Sequence, residues 1–198
     1  MTTSAATLLR ESDGTPPRMR ISRALFHQLS DAESLESDRR YELIDGDIIE
    51  KMGQKEPHAS LVMDWIFALA EIFGPQFVRC QAPILANDFS EPEPDIAVTS
   101  KPRTSYRRSS APPPASDIRL VIEISVTTAA YDTGRNALLY AQCGISEYWV
   151  SDVANRRLIV HRDPTPNGYS TVTTLSEMDK VTPLAATAAS LKIADFLP

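Results

Sequence analysis

The chain reads as a mixed αβ protein with a covered central strand. Three observations carry this. "IRLVIEISV" (118–126) is β-branched and apolar on both faces, as a strand buried on both sides must be. Leu61, Val62, Trp65, Ile66, Leu69 and Phe73 repeat at helical spacing. The order of elements is hairpin, long helix, three strands, helix, strands, without internal repeats.

Residues 1 to 18, rich in Ser, Thr and Pro, are expected to form a flexible tail, and residues 19–198 a single domain. "SRALFHQLSDAE" is expected to be a short helix. "YELIDGDIIEKM" is a hairpin signal, because Asp45-Gly46 between alternating residues asks for a type I′ turn. The next helix runs from Pro57, well suited to a first turn, to Phe73, where Gly74-Pro75 ends it. "QFVRCQAPIL" and "DIAV" are strands, joined by "SEPEP", whose prolines hold the chain extended. "SKPRTSYRRSSAPPPASD" is a long loop. After the central strand, Asp132 to Cys143 is expected to be a helix with Gly144 as its cap. "SEYWVSD", "RRLIVHR" and "YSTVTTL" add strands.

The 198 residues are 42% hydrophobic and 23% charged, ordinary values for a soluble domain with a sizeable core. A net charge of −6 gives no global attraction to nucleic acid or anionic membrane, so any phosphate contact needs a local patch or a bound cation. The two cysteines, Cys80 and Cys143, form no CxxC or Cys/His cluster, which argues against a disulfide scaffold or structural zinc. No stretch looks like a signal peptide, and the most apolar one, "LVMDWIFALAEIFG", is interrupted by Asp64 and Glu71. A cytoplasmic protein without membrane contact is expected.

Alternation places Arg119, Val121, Glu123 and Ser125 on one face of the central strand, so Glu123 is a carboxylate inside a sheet. Glu42 poses the same problem in the hairpin, where it shares a face with Ile44. Asp95 stands at the mouth of a strand. A buried carboxylate is expensive unless paired or bound to metal. Singly, each has an ordinary explanation: an arginine partner for Glu42, a helix end for Glu123, a turn cap for Asp95. Jointly they suggest a hard-cation site of oxygen ligands.

"YELIDGDIIE", "SEPEPDIAV", "LVIEISVTTAAYD" and "LLYAQCGISEYWVSD", in this order, resemble the Uma family (its second group) of restriction-endonuclease-like proteins, within the PD-(D/E)XK nuclease superfamily. The resemblance covers about residues 20 to 163. It implies an α/β (α+β) fold with a restriction-endonuclease-like mixed β-sheet flanked by helices. It also implies hydrolysis of nucleic acid, DNA in the first place, with Mg2+ or Mn2+. Asp95 and Glu123 would be the motif acids and Glu42 the acid of the hairpin. The superfamily's usual lysine position, two after the Glu, is Ser125 here. The family's displaced position, four after the Asp of the "YD" element, is Asn136, with Arg135 beside it but roughly 100° away around a helix. The missing lysine leaves a second reading open: a nuclease-fold protein that binds nucleic acid or regulates without cleaving.

His58 matches a histidine frequent in the family, though capping or packing explains it equally well. Lys101, Arg103, Arg107 and Arg108, with Tyr106 among them, form a basic cluster that could track a nucleic-acid backbone or simply be a solvated loop. Asp64 and Glu71 read as the wet side of their helix, and "EYWV" as core strand. A homodimer addressing two strands is a further expectation from the size of such nucleases.

Overall fold

The computed structural model describes residues 6–9, 18–51 and 55–198, which fall into two compact units, Met1–Gly53 with Leu85–Pro92, and Gln54–Ile84 with Glu93–Pro198.

In the first unit, β1 (Ala6–Leu9) pairs antiparallel with β2 (Arg18–Ile21). This much of the expected tail is therefore strand, and the rest lies outside the described residues. Helix α1 (Arg23–Asp31) opens on Ser22, whose hydroxyl accepts from the Leu25 amide. The expected hairpin is β3 (Arg40–Ile44) against β4 (Asp47–Lys51). Its turn has Asp45 at φ 50° and Gly46 at φ 81°, both left-handed as a type I′ turn requires. A Cβ on Gly46 would lie 2.5 Å from the Arg20 Cβ, so close approach as well as φ demands glycine there. Buried Glu91, the first acid of "SEPEP", accepts from Arg23 Nε at 2.6 Å.

The second unit is built on a six-stranded mixed sheet. Helix α2 (His58–Phe73) precedes β5 (Val78–Cys80), β6 (Ile96–Thr99) and β7 (Ile118–Ser125). The connection from β6 to β7 is not featureless: it contains the 3-10 turns Arg103–Tyr106 and Ala115–Asp117. The expected helix after β7 is interrupted: α3 (Ala129–Tyr131) runs into a π-helical turn, Asp132–Asn136, and then α4 (Ala137–Gln142). Strands β8 (Glu147–Asp152), β9 (Arg157–Thr165) and β10 (Gly168–Ser176) complete the sheet, and the small pair β11 (Lys180–Val181) and β12 (Leu191–Lys192) follows.

The sheet order is β10-β9-β8-β7-β6-β5, with only β7 and β8 parallel. β7 is central and apolar on both sides for a visible reason. Leu120, Ile122 and Ile124 pack in the layer that holds Trp65 and Leu69 of α2, and Val121 packs in the layer that holds Tyr140 of α4. Trp65 is fully buried and stacks on Phe196, with ring centroids 3.8 Å apart. Among the described residues no helix is long and apolar enough to cross a membrane.

Candidate active site

The antiparallel register of β6 and β7 sets Ile96 opposite Ile122. One step further along, Asp95 meets Glu123, and the two acids are stitched together through the backbone. The Asp95 amide donates to Glu123 Oε2 at 3.1 Å, and the Ile124 amide donates to Asp95 Oδ2 at 2.9 Å. Both carboxylates are buried, at 6% and 5% exposure. Amide donors of this kind stabilise the charged form and fix the direction of each oxygen.

Side chains from three other elements converge on the pair. His58, in the first turn of α2, sets Nε2 3.0 Å from Asp95 Oδ2, so it touches the acid rather than capping the helix. Gln81, beyond β5, donates its backbone amide to the Asp95 carbonyl at 3.0 Å and offers its side-chain amide to Oδ1 at 3.5 Å. Tyr140, fully buried on α4, donates its hydroxyl to Glu123 Oε1 at 3.0 Å.

A third acid, Asp132, belongs to this neighbourhood. It sits on the π-helical turn and accepts from Ser125 at 2.5 Å, Thr128 at 2.6 Å and Asn136 Nδ2 at 3.0 Å. Burial pushes its carboxyl above the usual range, and the charge of Asp95 adds to the rise, while the three donors oppose it. The fully buried Tyr148 phenol, which donates to the Asp132 carbonyl at 3.0 Å, is pushed well up by burial and then by Glu123, Asp132 and Asp95. This side of the sheet is strongly negative, the field a cation would neutralise.

The residues singled out from the sequence are therefore distributed unevenly. Asp95, Glu123 and His58 come together. Ser125 and Asn136 are buried and both serve Asp132, so Asn136 faces that acid instead of making a contact with Glu123; its Oδ1 is buried without a partner. Arg135 is half-buried on the same turn. Glu42, at 6% exposure, lies in the first unit, with Lys51 Nζ 4.0 Å from Oε2. In the β6–β7 connection, Lys101 pairs with Asp117 at 3.0 Å, and Tyr106 donates to the same acid at 3.0 Å. Burial and that bond push the Tyr106 phenol up to about 12. Arg103, Arg107 and Arg108 are exposed.

Sequence reasoning does not single out Tyr140, Gln81 or Asp132 as functional. Helical spacing does put Tyr140 on the sheet-facing side of its helix, and Asp132 enters only as the residue from which the family's lysine position is counted.

Among the described residues no group of three or more His, Cys, Asp or Glu is arranged to hold a metal ion. A magnesium-type site does not require one, since Mg2+ usually takes one or two carboxylates and completes its shell with water and substrate phosphate. Asp95 and Glu123 supply two hard oxygen ligands on neighbouring strands, and this donor set fits Mg2+ or Mn2+.

The mixed sheet carrying linked acids on adjacent strands matches a nuclease fold. The chain superposes on a crystal structure of a "putative nuclease" from Anabaena variabilis at a TM-score of 0.66, with 21% identity, over 89% of this chain and 97% of that one. Comparison with curated proteins gives no match. Residues 24–194 match the model of the Uma2 family, described as "Putative restriction endonuclease", and the chain belongs to that family.

Proposed function

We propose that the protein is a metal-dependent endonuclease of the PD-(D/E)XK type that hydrolyses phosphodiester bonds in nucleic acid, DNA first. The observation that carries this reading is the backbone-stitched pair of buried acids, Asp95 and Glu123. They would hold Mg2+ or Mn2+, which when bound neutralises phosphate charge and makes its water a better nucleophile. The protein's own share is positional. The Ile124 amide and His58 aim one oxygen of Asp95, and the Asp95 amide and Tyr140 aim the two oxygens of Glu123. Fixed ligands of this sort lose little freedom when the substrate arrives. Arg135 would supply positive charge where the family has lysine. A homodimer working on both strands of a duplex, in the cytoplasm, belongs to the same reading.

The second reading, a nuclease fold that binds without cleaving, is favoured by one observation. Asn136 donates to Asp132 and brings no charge to the site.

Thermal unfolding with and without Mn2+ tests the metal site. Binding to the native state stabilises it by mass action, by about 2.7 kcal/mol at a hundredfold excess over Kd. The native protein should melt higher with Mn2+, and Glu123→Gln should lose that response. A native protein indifferent to Mn2+ would remove the metal from the proposal.

A further inference from the structure

We infer that Arg79 is a phosphate anchor, forming with Arg103, Arg107 and Arg108 the surface that holds the nucleic-acid backbone where it runs out of the Asp95 site. The inference rests on the proposed nuclease reading and adds to it a residue outside the acid cluster.

β5 is the edge strand of the sheet, and its register places Arg79 opposite Ala97. Two residues on, Gln81 bonds the backbone of Asp95. Ala97 packs in the layer of Val121 and Tyr140, while Val78 packs against the opposite one, so Arg79 looks out on the Tyr140 side. Ala97, the partner of Arg79, stands two residues after Asp95, a step of ~6.6–6.8 Å along extended chain. That is the scale separating neighbouring phosphates along a nucleic-acid strand.

The guanidinium is set there without an anion. Nη2 reaches the Pro83 carbonyl only at 3.5 Å, Nε is buried without an acceptor, and among the described residues no carboxylate forms an ion pair with it. The arginines that tie this fold together behave differently: Arg23 sits on Glu91, Arg157 on Asp152 and Arg162 on Glu147. A half-buried cation that lacks a counter-ion carries a desolvation cost that an arriving anion relieves. Burial accordingly lowers the pKa of Arg79, with the nearby Tyr106 phenol opposing.

Tyr106 links Arg79 to the basic cluster. The loop around it exposes Arg103, Arg107 and Arg108, none of which forms an ion pair among the described residues. Lys101, by contrast, is held on Asp117. In a protein of net charge −6, four arginines without carboxylate partners around one tyrosine do not follow from bulk composition. The planar guanidinium fork suits phosphate oxygens, and sequence-independent backbone contact is what such a patch provides.

The test is anisotropy of fluorescein-labelled DNA duplex, its single strand and an RNA of the same sequence, titrated over a range of KCl. The titrations use metal-free Asp95→Asn protein, which leaves the probes uncut. Adding Arg79→Gln should weaken binding about tenfold and reduce the slope of log K against log salt by about one. Adding Arg79→Lys should keep the slope, and Lys101→Gln should leave both unchanged. Should Arg79→Gln fail to fold, Arg107→Gln and Arg108→Gln, at exposed positions, should each lower the slope. Native affinity in Arg79→Gln, weaker binding with an unchanged slope, or no binding of any probe by the parent would overturn the inference. The two proposals fail separately: arginine-dependent binding without metal-dependent cleavage sinks the nuclease reading alone, and cleavage with binding indifferent to Arg79 sinks this one alone.

Discussion

Asp132 holds three donors yet stays in an environment that disfavours its charge, because burial and Asp95 outweigh them. The direction of the resulting pH dependence follows. A carboxyl whose folded pKa is raised contributes stability that is fully present below its unfolded pKa, about 3.9, and lost as pH rises through the folded value. The native protein should therefore lose melting temperature through this group as pH rises above about 4, and Asp132→Asn should flatten the profile. Asn136 can serve an amide at position 132 as well as the acid, because its buried Oδ1 lacks a partner and can accept from that amide once its own side chain turns. Identical pH profiles for the two proteins would contradict this. Asn136 carries a second prediction. Lysine there would put a charged donor beside Asp132, the group that the family resemblance leads one to expect at this position. Asn136→Lys should raise metal-dependent cleavage, by up to about 10²-fold if the ammonium reaches the reacting phosphate. Steady-state rates on one substrate decide it; an unchanged or lower rate would show that the missing lysine is not what limits the native protein. Glu123 could be read from the sequence because period-two alternation puts a carboxylate at a core position, and Asp95 because it stands at the mouth of a strand. Arg79 could not, since an arginine without an anion looks the same in sequence as one with a partner.

At the scale of elements, the hairpin, α2, the central strand and the following strands were legible because each has a regular period or a turn that only Gly and Asp satisfy. The π-helical turn was not. It takes an extra residue into one turn at Asp132–Asn136, and no residue pattern in the sequence marks where that happens. Such turns often occur at functional sites; here it carries Asp132 and Asn136 side by side while α4 goes on to deliver Tyr140 to Glu123. Tyr140→Phe isolates that delivery. It removes one buried hydroxyl and its bond to Glu123, and should cost about 1 kcal/mol of stability. If Tyr140 aims Glu123, the variant should also bind Mn2+ more weakly, measured by calorimetric titration. A variant that loses stability but keeps its Mn2+ affinity would reduce Tyr140 to a packing residue.

For the molecule as a whole, the fold places an acidic sheet face in a protein already at net charge −6, and exposes Arg103, Arg107 and Arg108 on the loop between β6 and β7. In the proposed reading, acids holding a cation and arginines holding a backbone would divide the work of binding a polyanion. A relic that had lost its metal would be expected to lose such buried acids early, since they weaken the fold once unpaired. Asp95, Glu123 and Asp132 all remain buried. The measurement that bears most directly on this account is cleavage of labelled DNA and RNA with Mg2+, with Mn2+ and with EDTA, run beside Asp95→Asn at equal concentration. The account predicts slow cleavage that needs one of the two ions and disappears in a folded Asp95→Asn protein. Cleavage that persists in EDTA, or that Asp95→Asn carries out at the native rate, would contradict it.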